Sequence, residues 1–200
     1  MSYAIIGFGK IGQALAKAFA RKGIEVAVAT TRDPQSFAAD AAAIGPTIIP
    51  KTLAEAVKAD TVFLAVHFGA YPDVAKALPT WQGKTIVDVT NAYGVAPEDL
   101  GGQPSSKAVA KAFTGARLVK GFNHLGAATL DQDPAVHGGR RVVFLASDDE
   151  DAMTEIGELA EKLGFAPIKL GDLSEGGLLV QARGNNWGRL IFKDLVKFDG

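Results

Sequence analysis

The chain has no cysteine, two methionines, two tryptophans and three tyrosines in 200 residues. The missing cysteine removes disulfides, thiolate nucleophiles and cysteine-based metal sites together. Histidine is also scarce. His67, His124 and His137 stand far apart, without the H-x-x-H or H-E-x-x-H spacing of a helix-borne metal site, so no metal site is expected. Neither sign of charge is in excess: a net charge of −1, with Lys and Arg dispersed, gives no bulk attraction to nucleic acid or to an anionic membrane. No apolar run approaches spanning length, and a strand-like run starts at residue 3 with no leader-like stretch before it, so the expected setting is cytoplasmic. A Tyr-x-x-x-Lys pair is missing too. The residues four beyond Tyr3, Tyr71 and Tyr93 are Gly7, Ala75 and Pro97, which excludes the usual phenol and lysine pair of short-chain carbonyl reduction.

Apolar residues make up 48% of the chain, enough to bury the core of one domain. Apolar, β-branched runs at 3–6, 24–29, 47–49, 61–66, 85–89, 117–122, 141–146 and 167–170 read as strands. Helical patterns lie between them, near 10–22, 34–44, 53–58, 71–78, 106–113 and 148–163. This alternation predicts an α/β, doubly wound, mainly parallel sheet of Rossmann type, a single domain over 1–200 with a C-terminal helical extension at 174–200. Gly23 after Arg21 and Lys22 reads as a helix stop, as does Gly164, and Ser147 with Glu150 reads as a capping box. Residues 93–105 read as the longest loop, His137 as a loop residue, and Trp81 and Trp187 as packing residues.

The most informative run is Ile6-Gly7-Phe8-Gly9-Lys10-Ile11-Gly12. A G-x-G-x-x-G pattern alone is weak in a chain with 23 glycines, but here it sits between a buried-type strand and a helix whose apolar face is Ile11, Leu15, Ala18 and Phe19. In that context Gly7 makes the tight turn, Gly9 lets backbone amides approach a pyrophosphate, and Gly12 lets the helix pack closely on the strand. The unpaired N–H groups of the first helical turn then form an anion site. At the end of the second strand, where an acid would bind the ribose 2′-hydroxyl of NAD, the chain has Thr30-Thr31-Arg32. A hydroxyl and a guanidinium fork suit a 2′-phosphate, so NADP(H) is the expected dinucleotide.

Ligands in such sheets bind outside the strand carboxyl ends. The segments reaching that crevice are Val66-His67-Phe68-Gly69, Thr90-Asn91-Ala92-Tyr93 and Asn123-His124-Leu125-Gly126. Asn91 and Asn123 are candidates to bond the carboxamide or ribose, His124 to face the hydride acceptor, and Phe68 to pack on the cofactor. About 30 residues follow the last strand, too few for the large helical substrate domain of imine and hydroxyacid reductases. Hydride transfer to a flat conjugated ring needs less acid–base help, because positioning two rings can supply most of the rate. A non-catalytic NADP(H) sensor or interaction module, or reduction of a quinone, imine or other small molecule, stands as the alternative.

Gly7-Phe8-Gly9-Lys10-Ile11-Gly12, Thr31-Arg32, Asp88-Val89-Thr90-Asn91 and Val119-Lys120-Gly121-Phe122-Asn123-His124-Leu125 together resemble the NADPH-dependent reductases of the deazaflavin coenzyme F420. The resemblance extends over essentially the whole chain. It implies that NADP(H) and a deazaflavin or flavin-like acceptor stack across the strand ends, with hydride passing directly between the rings. It also implies that the glycine loop holds pyrophosphate, Thr31 and Arg32 hold the 2′-phosphate, and Asn91, Asn123 and His124 flank the ring pair. The terminal helix would line the acceptor side and help form a homodimer. The chain departs from the family pattern at His67, Gly126 and Gly184-Asn185-Asn186-Trp187.

Overall fold

A computed structural model describes residues 1–182; the terminal segment with Gly184, Asn185, Asn186, Trp187 and Gly188 lies outside the described residues. The chain begins with β1 (Tyr3–Ile6), α1 (Lys10–Arg21), β2 (Val26–Ala29), α2 (Ala38–Ile44), β3 (Ile48–Pro50), α3 (Leu53–Ala56) and β4 (Thr61–Leu64). It continues through α4 (Tyr71–Ala75), β5 (Thr85–Asp88), α5 (Ser105–Ala112), β6 (Arg117–Gly121) and α6 (Ala127–Leu130). A two-stranded hairpin, β7 (Ala135–Val136) and β8 (Gly139–Arg140), precedes β9 (Val142–Ser147), α7 (Glu150–Lys162), β10 (Ala166–Lys169) and α8 (Gly176–Leu179).

Eight strands form one sheet in the order β10-β9-β6-β5-β4-β1-β2-β3. Strands β1 to β6 are mutually parallel, so their carboxyl ends share one edge, and the strand order switches direction between β1 and β4. The expected parallel run stops there. β9 pairs antiparallel with β6, and β10 follows β9 in parallel. The amino end of β9 therefore lies beside the carboxyl end of β6.

The central strands read as continuous apolar runs because both faces are covered. Ile5, Phe63, Val87 and Val119 join α1 and α7 residues such as Leu15, Phe19, Ile156 and Leu159 in one core. Ala4, Ile6, Val62, Leu64, Ile86 and Leu118 join Ala56, Val74 and Val109, from α3, α4 and α5, in the other. Trp81 is a packing residue, as expected: its Nε1 donates to Ala75 O at 2.9 Å and its ring meets Phe113 edge-on.

Two local expectations are corrected. Asp149, not Ser147, caps α7 by accepting from Ala152 N at 2.7 Å. The Ser147 hydroxyl is already committed, donating to Leu118 O at 2.6 Å and accepting from Asp149 N at 3.0 Å. Residues 93–105 are not one open loop, since a 3-10 turn spans Pro97–Leu100 and α5 starts at Ser105. The short α6 and the β7–β8 hairpin carry too few residues to show a period, and sequence patterning gave no sign of them.

Candidate functional site

The glycine loop continues the sheet for one residue before turning. Gly7 N donates to Ala29 O and Ala65 N donates to Ile6 O, both at 2.8 Å, which holds Gly7 between β2 and β4. Its φ is +101°, and a Cβ there would stand 2.2 Å from Ala65 O. A Cβ on Gly12 would stand 1.9 Å from Gly7 O, so Gly12 is the close contact between α1 and the strand turn. Gly9 differs from both. Its φ is −80°, and a Cβ would meet no protein atom within 4 Å, so the open space beside it suits a ligand. Gly9 is also the N-cap of α1, whose first turn has no side-chain cap and no acid. Those N–H groups, at the positive end of the helix dipole, suit a pyrophosphate. Phe8 points inward against Phe37, leaving its backbone at the site, while Lys10 is exposed and Ile11 half-buried.

At the end of β2, Thr31 and Arg32 are exposed. Thr30 Oγ1 accepts from Arg32 N at 3.0 Å and fixes the turn, and the Arg32 guanidinium lies 5.7 Å from the centre of the Phe37 ring. The neighbouring Asp33 carboxylate is turned away to cap the next turn, accepting from Gln35 N at 2.8 Å. Among the described residues no carboxylate pairs with Arg32. This donor set fits a 2′-phosphate.

After β4, Val66 is half-buried and His67 exposed at the start of the turn Phe68–Ala70, while Phe68 is buried against Tyr71 at 5.0 Å. The ends of β5 and β6 converge on a pair of amides. Asn91 Nδ2 donates to Asn123 O at 2.8 Å, and Asn123 Nδ2 donates to Asn91 Oδ1 at 3.0 Å and to Val180 O at 2.9 Å. Asn123 Oδ1 is buried with no hydrogen-bond partner among the described residues. Residues 180 and 181 reach this edge from α8; besides the bond from Asn123, Gln181 Oε1 accepts from Ser105 N at 2.6 Å.

Phe122, between β6 and Asn123, adopts a left-handed φ of 62° while fully buried between Phe63 and Phe165. A bulky side chain there is strained by on the order of 1–3 kcal/mol, and the reversal turns the chain towards the crevice at Asn123. His124 follows, with Nε2 3.3 Å from Val142 O and its ring edge-on to Phe144. Burial pushes its pKa down to about 4, against the weaker opposing effect of Val142 O. It is a neutral imidazole near pH 7, suited to packing and hydrogen bonding and not to delivering a proton.

The structure thus pairs Asn91 with Asn123, packs the His124 ring against Val142 and Phe144, and places the glycine loop and Arg32 along the same edge of the sheet. Sequence reasoning assigned no role to Asp88, Thr90 or Lys120, although an acid and a lysine inside apolar strands are visible in the chain. Among the described residues no group of acids and histidines could hold a metal, and no helix is long and apolar enough to cross a membrane.

Residues 2–92 match the family of coenzyme F420-dependent NADP oxidoreductases. Over that stretch the chain is similar to this family. A candidate F420-dependent NADP reductase from Arthrobacter sp. FB24 has the same fold, with a TM-score of 0.69 and 26% identity over 98% of this chain and 91% of that one. A hypothetical protein from Sinorhizobium meliloti is more similar, with a TM-score of 0.86 and 38% identity over 92% and 91% of the two chains. The metalloreductase STEAP2 of Mus musculus is 30% identical over 174 residues, 85% of this chain but 33% of that protein. The chain therefore spans about a third of the length of that relative. The family is one of NADP-dependent oxidoreductases, and its matched stretch carries the glycine loop, Thr31, Arg32 and Asn91.

Proposed function

We propose that the chain binds NADP(H) along the carboxyl ends of β1, β2, β4, β5 and β6 and exchanges hydride with a deazaflavin, F420, or a flavin-like ring. When bound, NADP(H) supplies the hydride. The protein's part is to hold two rings in register. Backbone amides of the glycine loop and α1 bind the pyrophosphate, Thr31 and Arg32 the 2′-phosphate, and Asn91 and Asn123 the carboxamide. His124 packs beside the rings as a neutral group.

One observation supports a ring acceptor above others. Among the described residues, the ends of β5 and β6 offer an amide pair and an imidazole with its pKa lowered to about 4, not a proton donor poised near neutral pH. Ketone or imine reduction needs a proton delivered with the hydride, whereas a conjugated ring delocalises the added charge, so proximity and orientation suffice. A homodimer in the cytoplasm is part of this reading, and light scattering on the purified chain tests the dimer.

Anaerobic NADPH oxidation with F420, FMN, FAD, quinones and imines in parallel is the deciding experiment. Turnover with F420 or a flavin is the expected result. Tight NADPH binding without turnover of any acceptor points instead to a sensor, and selective imine turnover overturns the ring-acceptor reading.

A further inference from the structure

Asp88, Thr90 and Lys120 are 0%, 2% and 1% exposed, polar residues buried at the carboxyl ends of β5 and β6. Lys120 Nζ donates to Asp88 Oδ2 at 3.0 Å and also to Thr90 O. Asp88 Oδ1 accepts from Thr90 N at 2.9 Å and from Thr90 Oγ1 at 2.7 Å. The four bonds make a closed bracket between the ends of β5 and β6. Burial lowers the pKa of Lys120, and the charge of Asp88 beside it acts in the opposite direction.

A buried ion pair seldom adds net stability over apolar residues of the same volume, because desolvating both charges offsets their attraction. Stability is therefore a weak reason for this pair. Its geometry offers another. The bracket ends on the carbonyl of Thr90, the residue immediately before Asn91, and starts from Lys120, three residues before Asn123. It sets how far apart the two crest turns stand, and the amide pair spans that distance with two hydrogen bonds of 2.8 and 3.0 Å.

We propose that Lys120 and Asp88 are positioning residues for the nicotinamide end of the site: their ion pair fixes the Thr90 turn against β6, so that Asn91 and Asn123 stay paired and correctly aimed. The proposal rests on the NADP(H) reading above. Neither residue touches the ring. Their effect is confined to one end of the dinucleotide, because the glycine loop and Arg32 are built on other strands and share no bond with the bracket.

The test is the double variant Lys120→Met/Asp88→Asn, which removes both charges, keeps the volume of each side chain, and leaves an acceptor for Thr90. Binding of NADPH is compared with binding of 2′,5′-ADP, which carries the 2′-phosphate but no nicotinamide. The variant is expected to bind 2′,5′-ADP within about twofold of the parent and NADPH about tenfold more weakly, the scale of one or two lost hydrogen bonds. Equal weakening of both ligands, or unchanged NADPH affinity, overturns the proposal. Should the double variant fail to fold, Thr90→Val removes a single bond of the bracket and is expected to give the same split at smaller size; equal responses there overturn it as well. A parent protein that binds neither ligand refutes the NADP(H) reading itself, which is a different outcome.

Discussion

The two halves of the site are built in opposite ways. The half proposed to hold the pyrophosphate is made from absent side chains: Gly7 and Gly12 are required because a Cβ would strike backbone oxygens 2.2 and 1.9 Å away, and Gly9 because the space beside it is left open. The half proposed to hold the nicotinamide is made from side chains locked to one another across the fold. Asn91 and Asn123 are 32 residues apart, Asn123 and Val180 are 57 apart, and Ser105 and Gln181 are 76 apart. A half built from sterics fails when an atom is added, and a half built from polar pairing fails when a partner is removed.

Substitutions sharpen that contrast, and the largest effects are expected where the backbone has no room or a buried charge loses its partner. Gly12→Ala forces α1 away from the Gly7 turn and should cost on the order of 3 kcal/mol in urea unfolding, with NADPH binding lost. Full parental stability would show that the helix can shift freely. Lys120→Met alone, in contrast to the double variant, leaves the buried Asp88 carboxylate without its counter-ion and should destabilise by about 3–5 kcal/mol.

Effects on binding without effects on folding come next. Arg32→Ala should weaken NADPH by roughly 30-fold, about 2 kcal/mol for a charge-assisted bond to phosphate, while NADH changes by less than about threefold. Equal losses would remove Arg32 from the 2′-phosphate site. Gly9→Ala tests the open side of the loop: its φ of −80° accepts alanine, so the melting temperature should hold, whereas NADPH affinity should fall by about tenfold. Unchanged affinity would mean that the pyrophosphate does not pass over Gly9.

The smallest catalytic effect is expected at His124. With its pKa lowered to about 4, His124→Ala should keep hydride transfer to a ring acceptor within roughly tenfold, and a loss of several orders of magnitude would restore a general acid to the mechanism. The same group shapes acid stability. Between the ordinary value of 6.5 and about 4, the unfolded chain takes up a proton that folded His124 refuses. Its contribution is therefore complete above pH 6.5 and is lost as the pH falls towards about 4. Urea midpoints at about pH 7 and about pH 5 should lie closer together in His124→Ala than in the parent.

The strands of both cores and the glycine loop were legible because each rests on a local rule. Strands buried on two faces must be apolar throughout, and a turn at positive φ beneath a helix calls for glycine. Capping of α7 was misread because Ser147 and Asp149 are both good N-caps, and only the pairing of Ser147 with Leu118 O removes one of them. The reversed direction of β9 was hidden for a similar reason, since an apolar run carries no arrow and its neighbour is set by packing.

The sequence by itself determined a doubly wound sheet with a glycine turn between β1 and α1, and pointed to NADP(H), all written in short runs whose steric and hydrogen-bonding demands are met by near neighbours. Only the tertiary structure decided that Asn91 faces Asn123, that Val180 closes on them, that Lys120 is bracketed by Asp88 and Thr90, and that His124 is held neutral. Those features depend on which distant groups share one dry, low-dielectric edge of the sheet, where polar atoms must find partners and charges are costly to bury unpaired.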